Sequence, residues 1–193
     1  MSAPRILIAG IGNIFLGDDA FGVEVAQMMI RRPLPDGVRV VDFGIRGLDL
    51  AYALLETIPT VIIVDAVPRG EPPGTLYLIE PDVLSLQGPG ESDEMIDAHS
   101  MDPMKVLRSA ASMGAKFGKV LLIGCEPTPF DAETDMQMEL TPPVRNAVDE
   151  AIAMIESLVQ EILRDERNLA GAGATSRGQM YGAAKEMCNE TGS

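Results

Sequence analysis

The chain contains little positive charge for its size. Lysine and arginine total 15 residues against 29 aspartates and glutamates, for a formal net charge of -14 over 193 residues. A nucleic acid or an anionic membrane would meet a repelling surface, so the composition argues against both as partners. A cation or a basic peptide remains compatible with this charge.

Cysteines and long apolar segments are also scarce. Cys125 and Cys188 are far apart and in no metal-binding or redox spacing, which favours a reducing compartment. No apolar run approaches the roughly 18 residues that span a bilayer. The N-terminal stretch "MSAPRILIAG" leads directly into glycines and acids and does not have the layout of a signal peptide. We expect a soluble, cytoplasmic protein.

Two common hydrolase signatures are missing. The sequence has no serine in a G-x-S-x-G turn and no H-E-x-x-H helix. Cys125 in "LLIGCEP" follows an apolar run, but no cationic residue nearby in the sequence would lower its pKa. We interpret Cys125 as a small apolar residue.

Aliphatic residues dominate the hydrophobic content, because aromatics make up only 4% of a chain that is 46% hydrophobic. Runs such as "VIIVDA" are typical of strands buried on both faces of a parallel sheet. "TLYLIEP" alternates and follows a proline-rich turn, which indicates an edge strand that is antiparallel to its neighbour. The predicted strands are Arg5–Ala9, Val38–Asp42, Val61–Asp65, Thr75–Glu80 and Lys119–Ile123.

Helical patterns lie between these strands. Helices are predicted after Asp19, over Leu48 to Glu56, from the Asp102 cap with Pro103 in the first turn, and from Thr141 onward. The alternation predicts an α/β protein, a three-layer α/β/α sandwich with a five-stranded, mostly parallel twisted sheet. The last helix carries an apolar stripe: Val144, Val148, Ile152, Ile155, Val159 and Ile162.

The apolar period ends near Arg164. We therefore expect residues 1–164 to form a single α/β domain and residues 165–193, rich in Gly, Ala and Ser, to be a flexible C-terminal tail.

The first loop, in "RILIAGIGNIFLGDDAFGVEV", begins like a dinucleotide-binding turn. Gly10 and Gly12 fit that pattern, but its third glycine is replaced by Phe15, and the helix begins at two acids, Asp18 and Asp19. These charges would repel a phosphate at the helix N-terminus. Either the acids cap the helix or the loop binds a cation.

Two further residues favour the cation. Asp65 ends a buried strand that should lie beside the first, and His99 precedes the third helix, so both are predicted at the sheet edge that carries Asp19. Two carboxylates and an imidazole suit nickel, zinc or manganese and leave coordination positions open. The alternatives are that Asp65 accepts backbone N–H bonds and that His99 is an ordinary surface residue.

The set of motifs resembles the nickel–iron hydrogenase maturation proteases, the endopeptidases that process the C-terminus of the hydrogenase large subunit. "GIGNIFLGDDAFG", "VIIVDAV", "DAHSMDP" and "LTPPVRNAVDEAI" match the family's segments in order, over residues 5 to about 163. The resemblance implies a phosphorylase/hydrolase-like form of the sandwich. It also implies metal ligands at Asp19, Asp65 and His99, and substrate contacts at Asn13 and at Gly47 in "DFGIRGLDL".

The activity implied by the resemblance is removal of a C-terminal peptide from the nickel-loaded precursor of the large subunit. The nickel would be supplied by that precursor, and zinc or cadmium could occupy the site in vitro. Either the metal or a carboxylate, Asp19 or Asp65, would activate the water. Two alternatives remain open: a non-catalytic metal-binding or chaperone protein on this scaffold, and a nucleotide-dependent enzyme.

Overall fold

The computed structural model describes residues 4–83, 102–129 and 139–187, with side chains up to residue 169. Five strands form one sheet in the order β2-β1-β3-β5-β4. All neighbours are parallel except β4, which is antiparallel to β5 at the sheet edge, as the sequence predicted. The strands are β1 (Ile6–Ile11), β2 (Val38–Gly44), β3 (Thr60–Ala66), β4 (Leu76–Ile79) and β5 (Lys119–Cys125).

Within the described residues the chain forms four helices: α1 (Phe21–Ile30), α2 (Gly47–Ala53), α3 (Pro103–Ser112) and α4 (Pro142–Met187). A short 3-10 turn, Gly17–Ala20, connects β1 to α1. Asp102 caps α3 by accepting a hydrogen bond from Met104 N–H (2.8 Å), and Pro103 occupies the first turn, where a missing N–H costs nothing. The α/β fold and all four helix starts therefore agree with the sequence prediction to within about two residues.

Strands β1 and β3 form the centre of the core and are buried on both faces. Leu7 and Ile63 belong to a cluster that includes Leu50 of α2 and Leu107 of α3. This arrangement explains why the central strands have continuous apolar sequences: alternate side chains of each strand pack in opposite layers.

Gly22 allows α1 to approach the sheet. A Cβ atom at this position would lie 2.0 Å from the carbonyl oxygen of Val64 and 2.4 Å from that of Ile11. Both atoms belong to backbone that cannot move without disturbing β1 or β3. The close approach keeps the start of α1, and the acidic turn before it, against the carboxyl ends of these two strands.

The chain divides into two compact units, residues 1–152 and 153–193. In the second unit Ile155 and Val159 are buried, and Leu169 is exposed. Helix α4 continues through Met187, although the sequence predicted that regular structure ends near Arg164. The Ala, Met, Gln, Glu and Lys residues of this segment favour helix without an apolar stripe, whereas its glycines oppose it. The predicted mobility of residues 165–193 and the domain boundary at residue 164 remain predictions.

No helix within the described residues is both long and apolar enough to cross a membrane.

We predict that Gly22→Ala lowers the free energy of unfolding by roughly 1–3 kcal/mol, because the new Cβ must displace strand backbone. Alanine would otherwise stabilise a helix interior by about 1 kcal/mol relative to glycine. Urea unfolding measures the change. Glu24→Ala, at an exposed position of the same helix, should stay within about 0.5 kcal/mol of the wild type. Equal stability of Gly22→Ala and wild type would contradict the packing described.

Candidate active site at the carboxyl edge of the sheet

Asp19 and Asp65 lie at the carboxyl ends of two adjacent parallel strands. Asp19 is in the 3-10 turn after β1, and Asp65 is the penultimate residue of β3. Strand β1 pairs directly with β3, with Gly10 opposite Val64. In open α/β sheets this edge is the usual position of ligand sites. The predicted juxtaposition of these two acids is therefore present.

Asp19 is held by the loop that precedes it. The Asn13 N–H donates to Oδ2 of Asp19 (2.6 Å), and Asp19 N–H donates to the carbonyl of Leu16 (3.0 Å). The side-chain oxygen of Asn13 accepts the N–H of Phe15 (3.0 Å). Burial raises the pKa of Asp19, and the Asn13 hydrogen bond offsets part of this effect. The carboxylate of Asp19 already accepts the hydrogen bond of this loop N–H. The structure therefore gives no support to a phosphate-binding loop here.

Gly12 permits this loop conformation. Its φ is +133°, and a Cβ at this position would lie 1.8 Å from the carbonyl oxygen of Asp19. Only glycine combines such a φ with such a close backbone contact. Gly12, which resembles part of a dinucleotide-binding motif, thus serves to fold the acidic turn back onto β1.

Asp65 is almost completely buried, with 4% of its surface exposed. Its Oδ1 accepts the N–H of Ala66 (2.9 Å). Burial raises the pKa of Asp65 well above its usual value, and the negative charges of Asp19 and Asp102 raise it further, whereas the Ala66 hydrogen bond opposes the shift. The sequence left open that Asp65 simply accepts backbone hydrogen bonds. One such bond is present, but it does not offset the effect of burial on the pKa.

Asp102 contributes to the electrostatics of the site, which the sequence did not predict. Its side chain caps α3, yet its charge acts on Asp65. The only available signal was its position three residues after His99. His99 itself lies outside the described residues, and its place in the ligand set remains a prediction.

Asp18 has a different role from Asp19. Its carboxylate accepts hydrogen bonds from the N–H of Thr128 (2.8 Å) and from the N–H and hydroxyl of Thr141 (2.7 and 2.9 Å). It makes no capping hydrogen bond to α1. The interpretation of Asp18 as a helix cap is therefore wrong, because distant backbone donors use its oxygens instead.

Gly47, expected to contact the substrate, is the first residue of α2 and follows the carboxyl end of β2. The loops after β1 and β2 are joined where the N–H of Gly12 donates to the carbonyl of Gly44 (3.1 Å). Gly47 and Asn13 thus lie on neighbouring loops at one sheet edge. Their contacts with substrate remain predictions.

Cys125 is fully buried at the end of β5. Desolvation, together with the charges of Asp18 and Glu126, raises its pKa to about 12. A thiol in these surroundings stays protonated and is no nucleophile, which confirms its interpretation as a small apolar residue.

Glu126, which follows Cys125, is a buried acid that the sequence did not single out. Its carboxylate accepts the N–H groups of Arg69 (2.7 Å) and Gly70 (2.9 Å) and the hydroxyl of Tyr77 (2.5 Å). These hydrogen bonds, that of Tyr77 first, lower the pKa of Glu126. Glu126 is fully occupied in fixing the loop after β3 and is not available for chemistry.

Within residues 4–83, 102–129 and 139–169, no three Asp, Glu, Cys or His side chains form a group suited to hold a metal ion. The described part of the site is therefore a pair of carboxylates, Asp19 and Asp65, with the charge of Asp102 near the second. In that same part of the chain, no lysine or arginine forms an ion pair with either member. Such a pair suits a cationic ligand and repels a phosphate.

Comparisons with known proteins identify this architecture. The chain matches the family model described as hydrogenase maturation protease over residues 23–158. It is 34% identical to the hydrogenase expression/formation protein HoxM of Azotobacter vinelandii, over 83% of this chain and 75% of that protein.

Two solved structures agree with the family match. The hydrogenase maturating endopeptidase HybD of Escherichia coli has a TM-score of 0.64 at 26% identity, covering 81% of this chain and 93% of that one. The hydrogenase 2 maturation peptidase of a Thaumarchaeota archaeon has a TM-score of 0.60 at 30% identity, covering 81% and 98%.

The fold and the match together define a peptidase with an α/β sheet. The chain belongs to the hydrogenase maturation protease family, and the resemblance seen in its motifs is confirmed.

We predict that Asp65→Asn stabilises the metal-free protein at pH 7. The folded pKa of Asp65 lies above the unfolded value of 3.8, so the folded state loses stability as pH rises from about 4 through the folded pKa. Asparagine has no such charge, so Asp65→Asn should have the higher free energy of unfolding and the higher Tm at pH 7. Thermal unfolding in a chelator between pH 4 and 8 measures it.

The advantage of Asp65→Asn should shrink as pH falls toward 4, because the folded wild type takes up a proton on Asp65 that the unfolded chain holds only below about 3.8. Asp149→Asn is the matched control, because the side chain of Asp149 is 80% exposed, and it should change little at any pH. A Tm of Asp65→Asn that falls below the wild type at pH 7 would show that the buried charge is compensated.

Proposed function

We propose that this peptidase removes a C-terminal peptide from the nickel-loaded precursor of a nickel–iron hydrogenase large subunit. Asp19, Asp65 and His99 bind the nickel ion that the precursor carries. The observation that carries the proposal is that the buried carboxyl of Asp65 and the partly buried carboxyl of Asp19 lie at the carboxyl edge of the sheet, the usual position of ligand sites in open α/β sheets.

Without a cation, the carboxylate pair is energetically costly. A buried carboxylate without a positive partner is costly, and a second carboxylate nearby increases that cost. A divalent cation between them removes both penalties at once. Carboxylate oxygens and an imidazole are ligands that nickel accepts, and zinc or cadmium would compete for the same donors in vitro.

Three protein ligands would leave positions open for groups of the precursor. The bound cation supplies a Lewis acid for the scissile carbonyl or for a water. Alternatively, one carboxylate of the pair acts as the general base that takes a proton from the attacking water. Asp19, which is only partly buried, and Asp65 are both candidates for this base function.

The surroundings of the pair suit a protein substrate. Ile14, Phe15 and Leu16 are 46%, 59% and 50% exposed, and they lie between Asn13 and the acidic turn. Three consecutive exposed apolar residues are unusual beside a charged site and are typical of a surface that binds another protein. On the neighbouring segment, Leu48 and Tyr52 are 49% and 56% exposed. We assign both loops, with Asn13 and Gly47, to precursor binding.

The ligand assignment predicts that His99→Ala and Asp65→Asn lose cleavage of nickel-loaded precursor by at least about 100-fold, a loss typical of removing a catalytic group. Both variants should still bind the precursor in a pull-down assay. Wild-type protein should leave nickel-free precursor intact, and Asp149→Asn should cleave normally. Gel shift of the large subunit measures the reaction. Equal cleavage of nickel-free precursor would refute the role of the ion; retained binding with no cleavage by any form would favour a chaperone.

The loop assignment predicts that Phe15→Ser raises KM for the precursor by about 10-fold while kcat changes little, because the contact is made equally in the ground and transition states. Ile30→Ser is the control. Ile30 is 50% exposed, close to the 59% of Phe15, but it lies at the C-terminal end of α1, whereas the loop of Phe15 precedes the N-terminal end. A normal KM for Phe15→Ser would remove this loop from the binding surface.

A further inference from the structure

The carboxylate of Asp18 joins two parts of the chain that are far apart in sequence. It accepts the N–H of Thr128, which follows β5, and the N–H and hydroxyl of Thr141, which precedes α4. The two threonine hydroxyls are also hydrogen-bonded to each other (2.9 Å). Asp18 is 7% exposed, so these donors meet its oxygens with little competition from water.

The order of the strands gives this connection its significance. Strand β3 lies between β1 and β5 in the sheet. Asp18 belongs to the turn after β1 but is hydrogen-bonded to the segment after β5. The link therefore passes across the carboxyl end of β3. Asp65 is at that end and is 4% exposed.

Neighbouring positions of a 3-10 turn differ in direction by about 120°. Asp18 and Asp19 can therefore face different neighbours from the same turn. Asp19 is bonded to Asn13 and acts electrostatically on Asp65, while Asp18 is bonded to Thr128 and Thr141. Because the turn is short, the hydrogen bonds that fix the side chain of Asp18 also fix the direction of the Asp19 side chain.

We propose that Asp18 is a positioning residue of this peptidase: its hydrogen bonds to Thr128 and Thr141 hold the turn across the end of β3 so that Asp19 faces Asp65. Asp18 does not touch the substrate in this account. The inference rests on the proposed function, because it takes the Asp19 and Asp65 pair as the reactive site.

The chemistry of the three donors explains why aspartate is needed at this position. Two N–H groups and one hydroxyl converge on two oxygens, and hydrogen bonds to a carboxylate are stronger than those between neutral groups. Asparagine has the same shape but presents one NH2 group. That group would face either the N–H of Thr128 or the N–H of Thr141, and two donors cannot pair.

The test compares Asp18→Asn with Thr141→Val, which removes one donor, and with Thr141→Ser, which keeps it. Ile152→Val, a buried change on α4, serves as a control for loss of stability alone. Three quantities are measured well below Tm: kcat/KM on nickel-loaded precursor, affinity for Zn²⁺ alone by calorimetry, and hydrogen exchange of the Asn13 N–H that is bonded to Asp19.

We expect Asp18→Asn to lower kcat/KM and Zn²⁺ affinity by about 10-fold each, and to speed exchange at Asn13, because Asp19 is no longer held. Thr141→Val should show a smaller loss in the same three quantities, and Thr141→Ser should be close to wild type. Ile152→Val should lower Tm without changing any of them. If Asp18→Asn does not fold, Thr141→Val provides the same comparison.

A folded Asp18→Asn or Thr141→Val with wild-type cleavage, affinity and exchange would overturn the inference. Failure of the proposed function has a different signature: the wild-type protein itself would show no nickel-dependent cleavage. The two failures can therefore be told apart within one experiment.

Discussion

The repulsion between Asp19 and Asp65 is the physical feature on which the functional account depends. The carboxylate of Asp65 is almost completely removed from water and that of Asp19 partly, and within the described residues no basic side chain pairs with either. A fold selected only for stability would replace such a pair with neutral residues. The pair lies at the sheet edge where ligands usually bind, and we propose that a cation that arrives with the substrate offsets the cost.

The rest of the structure serves to hold the two carboxylates together. Gly22 brings the start of α1 against β1 and β3, and Gly12 lets the loop fold back onto the carbonyl of Asp19. Asp18 extends the same turn toward the segment after β5, and Glu126 fixes the loop after β3. Each contact is made by backbone or by a buried side chain, which leaves the turn little freedom to separate the pair.

Much of this architecture was predictable from local patterns. Apolar runs that end in Asp or Gly gave the strand positions, and adjacent parallel strands necessarily bring Asp19 and Asp65 to one edge. The role of Asp18 was not predictable, because its partners are 110 and 123 residues away and threonines there carry no motif. The effect of the Asp102 charge on Asp65 was missed because it depends on tertiary placement. The continuation of α4 past Arg164 was missed because it depends on helix propensity without an apolar stripe.

Anomalous diffraction from crystals grown with zinc tests the central claim most directly, because it locates the bound ion without reference to catalysis. The account predicts a single strong peak about 2.0–2.2 Å from a carboxylate oxygen of Asp19 and from one of Asp65. The third ligand should be the imidazole of His99. A peak elsewhere on the protein, with Asp19 and Asp65 uncoordinated in the same crystal, would contradict it.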